Sequence, residues 1–494
     1  MRARFSRVLR STVFVAALAA ALPAAAQATP EEASRLQTIG ETYFGKPAAG
    51  EPAVVTVAPE GDHYRATLDL AVLVRRLLAL APAEKSKDLV LDWPAMSTAL
   101  APRADGLWRF WDYRIPKMAF EADGQRTELV TDGIEFDTTF DPATGASPAM
   151  IGRFARISAT SSMRKAGEKM AVTSESTSAD VTFEGSSATT ATPGVLDVTA
   201  RQITGSMLYA LGIEGGMADG VPDMNFTLNG GRQVNTATIR GFRNSALLDL
   251  WAHLVAHHDR EDFTTHQGTL KAKIAAALPI FESYVQKIDG KDFSFESPFA
   301  VAKAEKIGLD VDLAGLTREG RFGMAFAAAG FEAWSLFMPK WAPKLVPREI
   351  ALAGRVSGYD LATPTSVFLD SADFSAAKPL TDEQEARMAV LFLPRGHVDV
   401  VLDGNRLVSS LYEVTLDGRL SAGPDGAKGA ITVKARGLDE VAAHLAREKN
   451  DEQAKAAAGL VAVARGFAER KGDEFVWRFD LDGDRVAVNG KPLK

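Results

Sequence analysis

The stretch LDLWAHLVAHHDRED, residues 248–262, carries the densest set of groups able to do chemistry. On a helix, Asp249, His253 and His257 fall four residues apart, and residues at that spacing stack on one face. Two imidazoles so placed can hold zinc, and a carboxylate can complete the set for a metal-dependent hydrolase. The hydrolytic motif puts a glutamate general base directly after the first histidine, and here that position is Leu254. On the same helix His258 points toward the apolar side, and His266 lies beyond its end. Leu247, Trp251 and Leu254 line the opposite face. The expectation is therefore a solvated polar face with no bound metal.

Three further patterns invite the same comparison. Asp480, Asp482 and Asp484 alternate like the first acids of a calcium loop. Such a loop needs glycine at its sixth position and glutamate at its twelfth, and the chain has Arg485 and Lys491 there. A tight hairpin at Asp482-Gly483, with Val486 and Val488 on the return strand, accounts for these residues instead. Ser162 and Lys165 have the spacing of an acyl-transferase nucleophile and its lysine, but neither partner motif of that chemistry is present. No Gly-x-Ser-x-Gly elbow, phosphate loop or dinucleotide fingerprint occurs. Finally, LWRFWDYRIPKMAF (107–120) gathers Trp108, Phe110, Trp111, Tyr113 and Phe120. A strand apolar on both faces is covered on both, either within the core or as one wall of a groove for an apolar ligand.

The elements that must position these groups are mostly strands. Phe475, Trp477 and Phe479 alternate with Val476, Arg478 and Asp480, and Leu309, Val311 and Leu313 with Asp310 and Asp312. This period of two marks half-buried strands. Residues 158–192 contain fifteen serines and threonines, yet Val172, Val181 and Phe183 punctuate them as in exposed strands. Asn229-Gly230, Asp403-Gly404, Asp417-Gly418 and Asp482-Gly483 each follow a leucine. Such pairs accept the positive φ angles of two-residue hairpins, so the strands are expected to form antiparallel meanders. Segments 64–80, 237–254 and 431–445 each read as a strand leading into a short helix, a weak internal repeat. Helices are expected at 243–259, 269–288 and about 438–470. In the second, Leu270, Ile274, Leu278, Phe281, Val285 and Ile288 form an apolar stripe kinked at Pro279.

The N-terminus has its own signature. Arg2, Arg4, Arg7 and Arg10 precede the apolar run TVFVAALAAALPAAAQA, the layout of a secretory signal peptide. Ala26-Gln27-Ala28 fits a small-x-small cleavage site, so residues 1–28 are expected to be removed and the mature chain to begin at Thr29. Cleavage after Ala26 and a retained membrane anchor are the alternatives. The chain has no cysteine, which excludes disulfides, thiolate catalysis and a lipid-modified cysteine. Its net charge of −7 offers nothing to nucleic acid. Export without disulfides suits a bacterial periplasm.

GLDEVAAHL (437–445) and VAVNGKPL (486–493) resemble a domain-of-unknown-function family of secreted Gram-negative proteins. More loosely, the layout is similar to AsmA-like envelope proteins. That resemblance implies a curved sheet forming an apolar groove linked to lipid handling, and it brings no catalytic residues. The chain departs from membrane-anchored AsmA-like proteins in its cleavable-looking N-terminus. The expected fold is thus α+β and β-rich, a large curved, mostly antiparallel sheet with amphipathic helices on one side. The expected organisation is a β-rich region at 29–242, a helical segment at 243–290 and a second β-rich region with helices at 291–494. The expected function is non-enzymatic binding of a hydrophobic or lipid-like ligand in the cell envelope. No cofactor is expected, and any envelope protein partner is unspecified. Trp108, Phe110, Trp111, Leu270, Ile274, Leu278 and Phe281 are the candidate ligand-binding residues. A packed structural scaffold is the alternative.

Overall fold

A computed structural model describes residues 27–78, 89–164, 170–215, 223–257, 260–376 and 378–493. Residues 1–26 of the leader, Lys165 of the serine–lysine pair and His258 lie outside the described residues. The chain is α+β and β-rich, 52% strand and 23% helix, and its strands belong to one antiparallel sheet. The period-two segments are strands as expected, including Ala146–Arg164 and Ala171–Thr189 in the serine- and threonine-rich region. No described helix is long and apolar enough to cross a membrane.

Much of the sheet is built in two tiers. Long strands are flanked by pairs of shorter ones lying end to end. Glu135–Asp141 and Gln125–Asp132 pair with successive halves of Ala146–Arg164. Leu196–Thr204 and Ser206–Glu214 divide Ala171–Thr189 in the same way. Gln233–Phe242 and Met224–Gly230 share Ser283–Glu296, and Gly320–Ala329 and Glu332–Ser335 share Ala300–Ala314. The breaks carry residues that tolerate left-handed backbone: Gly133 at φ +60°, Asp180 at +50°, Asp292 at +56° and Gly330 at +63°. Hydrogen bonds continue across them, from the Ala155 amide to the Gly133 carbonyl (3.2 Å) and from Gly231 to Lys291 (2.9 Å).

Because Ser283–Glu296 pairs with both Gln233–Phe242 and Ala300–Ala314, the regions on either side of the helical segment share the sheet. The helical segment itself ends earlier than expected. Asn244–Ala256, Arg260–Thr265 and Gln267–Ala277 are helical, but residues 278–288 do not continue them. Pro279 has no amide hydrogen and its ring clashes with the preceding turn, so the helix stops before it. Phe281 lies in the connection, and Val285 and Ile288 lie on opposite faces of a strand rather than on one helical stripe. The alanine-rich region 438–470 also divides, into Leu438–Ala446 and Glu452–Phe467. Asp451 caps the second helix by accepting from the Ala454 amide at 3.0 Å.

The turn dipeptides need a further correction. Asp482-Gly483 does lie at a hairpin, with Asp482 opposite Arg485. Asp403-Gly404 instead forms a bulge inside Val398–Val408, where the register shifts between Leu402 and Asn405. Asp417-Gly418 sits mid-strand opposite Thr432 and Ile431. Asn229-Gly230 falls at a break between tiers. Two-residue hairpins occur at Asp123-Gly124 and Asn489-Gly490. There both central residues have positive φ, the twist that suits adjoining strands.

Candidate functional site

Directly paired residues of neighbouring strands share a face of the sheet. The register links Ile239, Tyr284, Leu313, Phe322, Val356, Val400 and Leu420 across seven consecutive strands. Parallel rows on the same face hold Val311 beside Met324, and Ile288, Leu309, Phe326 and Leu352. The opposite face is polar: Asp312, Arg355, Arg419 and Asp480 belong to one such row. The sheet is therefore amphipathic over a long span.

Helices bury this apolar face at its two ends. Near the N-terminus, Ala33 and Leu36 of helix Pro30–Phe44 pack on Tyr64, Leu100, Trp108, Phe110 and Phe140. Thr29 caps that helix by accepting from the Glu32 amide at 3.2 Å. Near the C-terminus, Phe475 and Trp477 are buried, and the Trp477 indole donates to the Ala464 carbonyl of helix Glu452–Phe467 at 2.8 Å. Between these ends no helix among the described residues buries the face completely. Phe322, Met324 and Leu352 remain 41%, 51% and 49% exposed.

The seven expected ligand-binding residues do not form one wall. Trp108 and Phe110 are 3% and 1% exposed and belong to the packed cluster beneath the first helix. Trp111 lies on the other face, 5.3 Å from the His63 ring and beneath Arg109 at 5.1 Å. Leu270 is buried on Gln267–Ala277, Ile274 is half-buried on the same helix, and Leu278 is its C-cap. Half-buried Phe281 meets Tyr284 with ring centroids 6.4 Å apart. A depression of about 540 Å3 opens instead at the junction of the tiers, beside Tyr113, Ile115, Pro116 and Ile134. Burial pushes the Tyr113 phenol above its usual range.

The polar candidates also redistribute. Asp480 pairs with Arg478 at 2.9 Å and Asp482 with Arg485 at 2.5 Å, so these two acids are ion-paired at the hairpin. Ser162 pairs with Thr173 and Arg126 within the sheet rather than starting a helix. Asp249 is held by Lys273 at 2.5 Å, which takes it out of the Asp249–His253–His257 set that the spacing allows, and His253 is buried rather than on a solvated face. His266, which the helical spacing had set aside, takes a place in the cluster. Its ring stacks 4.1 Å from that of His257, and His253 stands 4.4 Å from His257 and 6.5 Å from His266. Asp262 lies between two of them, 2.5 Å from His257 Nδ1 and 2.9 Å from His266 Nδ1. The His257 contact holds the Asp262 carboxyl below its usual range. Burial, reinforced by the neighbouring His257, Lys273 and His266, lowers the His253 imidazole.

No protein-family model, curated protein or solved structure matches the chain.

Proposed function

We propose that the protein is a non-enzymatic component of the bacterial cell envelope, exported to the periplasm, that binds the acyl part of a lipid on the open middle of its apolar sheet face. The observation that carries this reading is the exposed patch of Phe322, Met324 and Leu352, which lie in three adjoining rows of a face that is packed at its two ends. Large contiguous apolar surface on a soluble protein marks an interaction site. The half-buried apolar row that passes through Phe322 is long enough for a chain-like ligand. The row from Ile239 to Leu420 crosses seven strands. Six steps of roughly 4.8 Å give about 29 Å. Half the hydrocarbon core of a bilayer is roughly 15 Å, so the row has room for one extended acyl chain. The arginine-led leader supplies the export route, and the similarity to AsmA-like proteins agrees with the ligand class.

The test is thermal unfolding of delipidated full-length protein with and without dispersed fatty acid or phospholipid. A ligand that binds only the folded state raises the melting temperature by mass action. The expected result is a concentration-dependent rise that Met324→Asp removes. No rise with either lipid would discard the reading in favour of a structural scaffold.

A further inference from the structure

The histidine cluster plays no part in lipid binding as proposed above. We propose that His257, Asp262 and His266 form a site for a divalent transition-metal ion of the zinc type, held by the two imidazole Nδ1 atoms and the Asp262 carboxylate. The ligand atoms of these three residues all lie within 4.8 Å of one another. Zinc bonds of roughly 2.0–2.1 Å in a tetrahedron set neighbouring donors about 3.3 Å apart. The Nδ1–carboxylate separations are 2.5 and 2.9 Å, so these two pairs need to open by less than about 1 Å to admit an ion, and His266 Nδ1 would give up its 2.9 Å contact with the Asp262 backbone carbonyl. The metal would then replace the His257–Asp262 contact with bonds to both groups.

Three features favour this set. The donors come from one short stretch: the C-cap of Asn244–Ala256, the helix Arg260–Thr265 and the residue capping Gln267–Ala277. An ion there would staple the helix pair through its connection. All three side chains are partly exposed, which gives the ion an entry path and leaves a fourth position for water. The donors are two nitrogens and one oxygen, in a chain without cysteine. Imidazole with a carboxylate suits zinc, nickel or copper, whereas magnesium and calcium prefer oxygen alone. Asp249 is excluded because Lys273 holds it.

The test is equilibrium dialysis of chelator-stripped, full-length protein against Zn2+ alone, with Co2+ as a spectroscopic probe. The expected result is one ion per chain and the visible band of tetrahedral cobalt. His257→Ala with His266→Ala should weaken binding by at least about a hundredfold, since even outer-shell partners are worth 10–100-fold. Asp249→Asn should bind as the wild type does. Circular dichroism of the metal-free variants separates lost ligands from lost folding, and His266→Gln alone serves if the double variant unfolds. Sub-stoichiometric zinc in the wild type would overturn the proposal whatever the variants do. So would binding abolished by Asp249→Asn but kept by His266→Gln.

Discussion

Replacing Phe110 and Met324 one at a time by alanine distinguishes packed sheet from open sheet within one molecule. Phe110 is 1% exposed, lies edge-on to Phe140 with centroids 6.1 Å apart, and belongs to the cluster under helix Pro30–Phe44. Removing its ring leaves a cavity that the surrounding side chains can fill only in part, which costs about 3–5 kcal/mol. Met324 keeps 51% of its surface in water. Full burial of a methionine is worth about 1.5–3 kcal/mol, so half burial puts the loss near 1 kcal/mol, with no enclosed cavity added. The two variants should differ by at least about 2 kcal/mol. Urea unfolding monitored by circular dichroism gives the comparison, provided the dependence on urea is unchanged. Equal losses would refute the reasoning. They would mean that something covers Met324 in solution, such as a second copy of the chain, or that the first helix does not seal Phe110.

Two other outcomes follow from local geometry. Gly437 has φ +77°, and an added Cβ would come 2.1 Å from the Leu411 carbonyl oxygen, whereas Gly404 at +74° has open space around it. Gly404→Ala should therefore lose only the left-handed penalty of about 1–2 kcal/mol, while Gly437→Ala loses more, as thermal unfolding will show. Burial raises the Tyr113 phenol in the folded chain, so the folded state keeps its proton after the unfolded state has lost it. Stability should be intact below pH ~10 and fall as pH rises beyond it, and Tyr113→Phe should flatten that decline in a denaturation series.

The strands were legible because alternation such as Phe475, Trp477 and Phe479 leaves one consistent assignment. Their connections were less so. Asp403-Gly404 has the composition of a hairpin turn, but a bulge uses the same left-handed glycine, and only the partner strands decide between them. The stretch Phe281, Val285 and Ile288 fits helical spacing, and the sheet's need for a partner beside Ala300–Ala314 outweighed it. His266 was missed because a face drawn on one helix cannot include a residue that the following turn folds back onto it. Alternation places Leu309, Val311 and Leu313 on the apolar side of a strand, but it carries no information on whether another element lies above their partners Phe326, Met324 and Phe322. The opening of the face is a property of where the helices pack, at Trp108 and Trp477, and not at Met324.

Native mass spectrometry of the exported protein, released from the periplasm without detergent, tests lipid binding most directly. Wild-type protein should carry an adduct of lipid mass that dissociates on collisional activation, and Met324→Asp with Leu352→Asp should fly at the bare chain mass while remaining folded. A wild-type spectrum showing only the bare chain, or an adduct that persists unchanged in the double variant, would contradict the account.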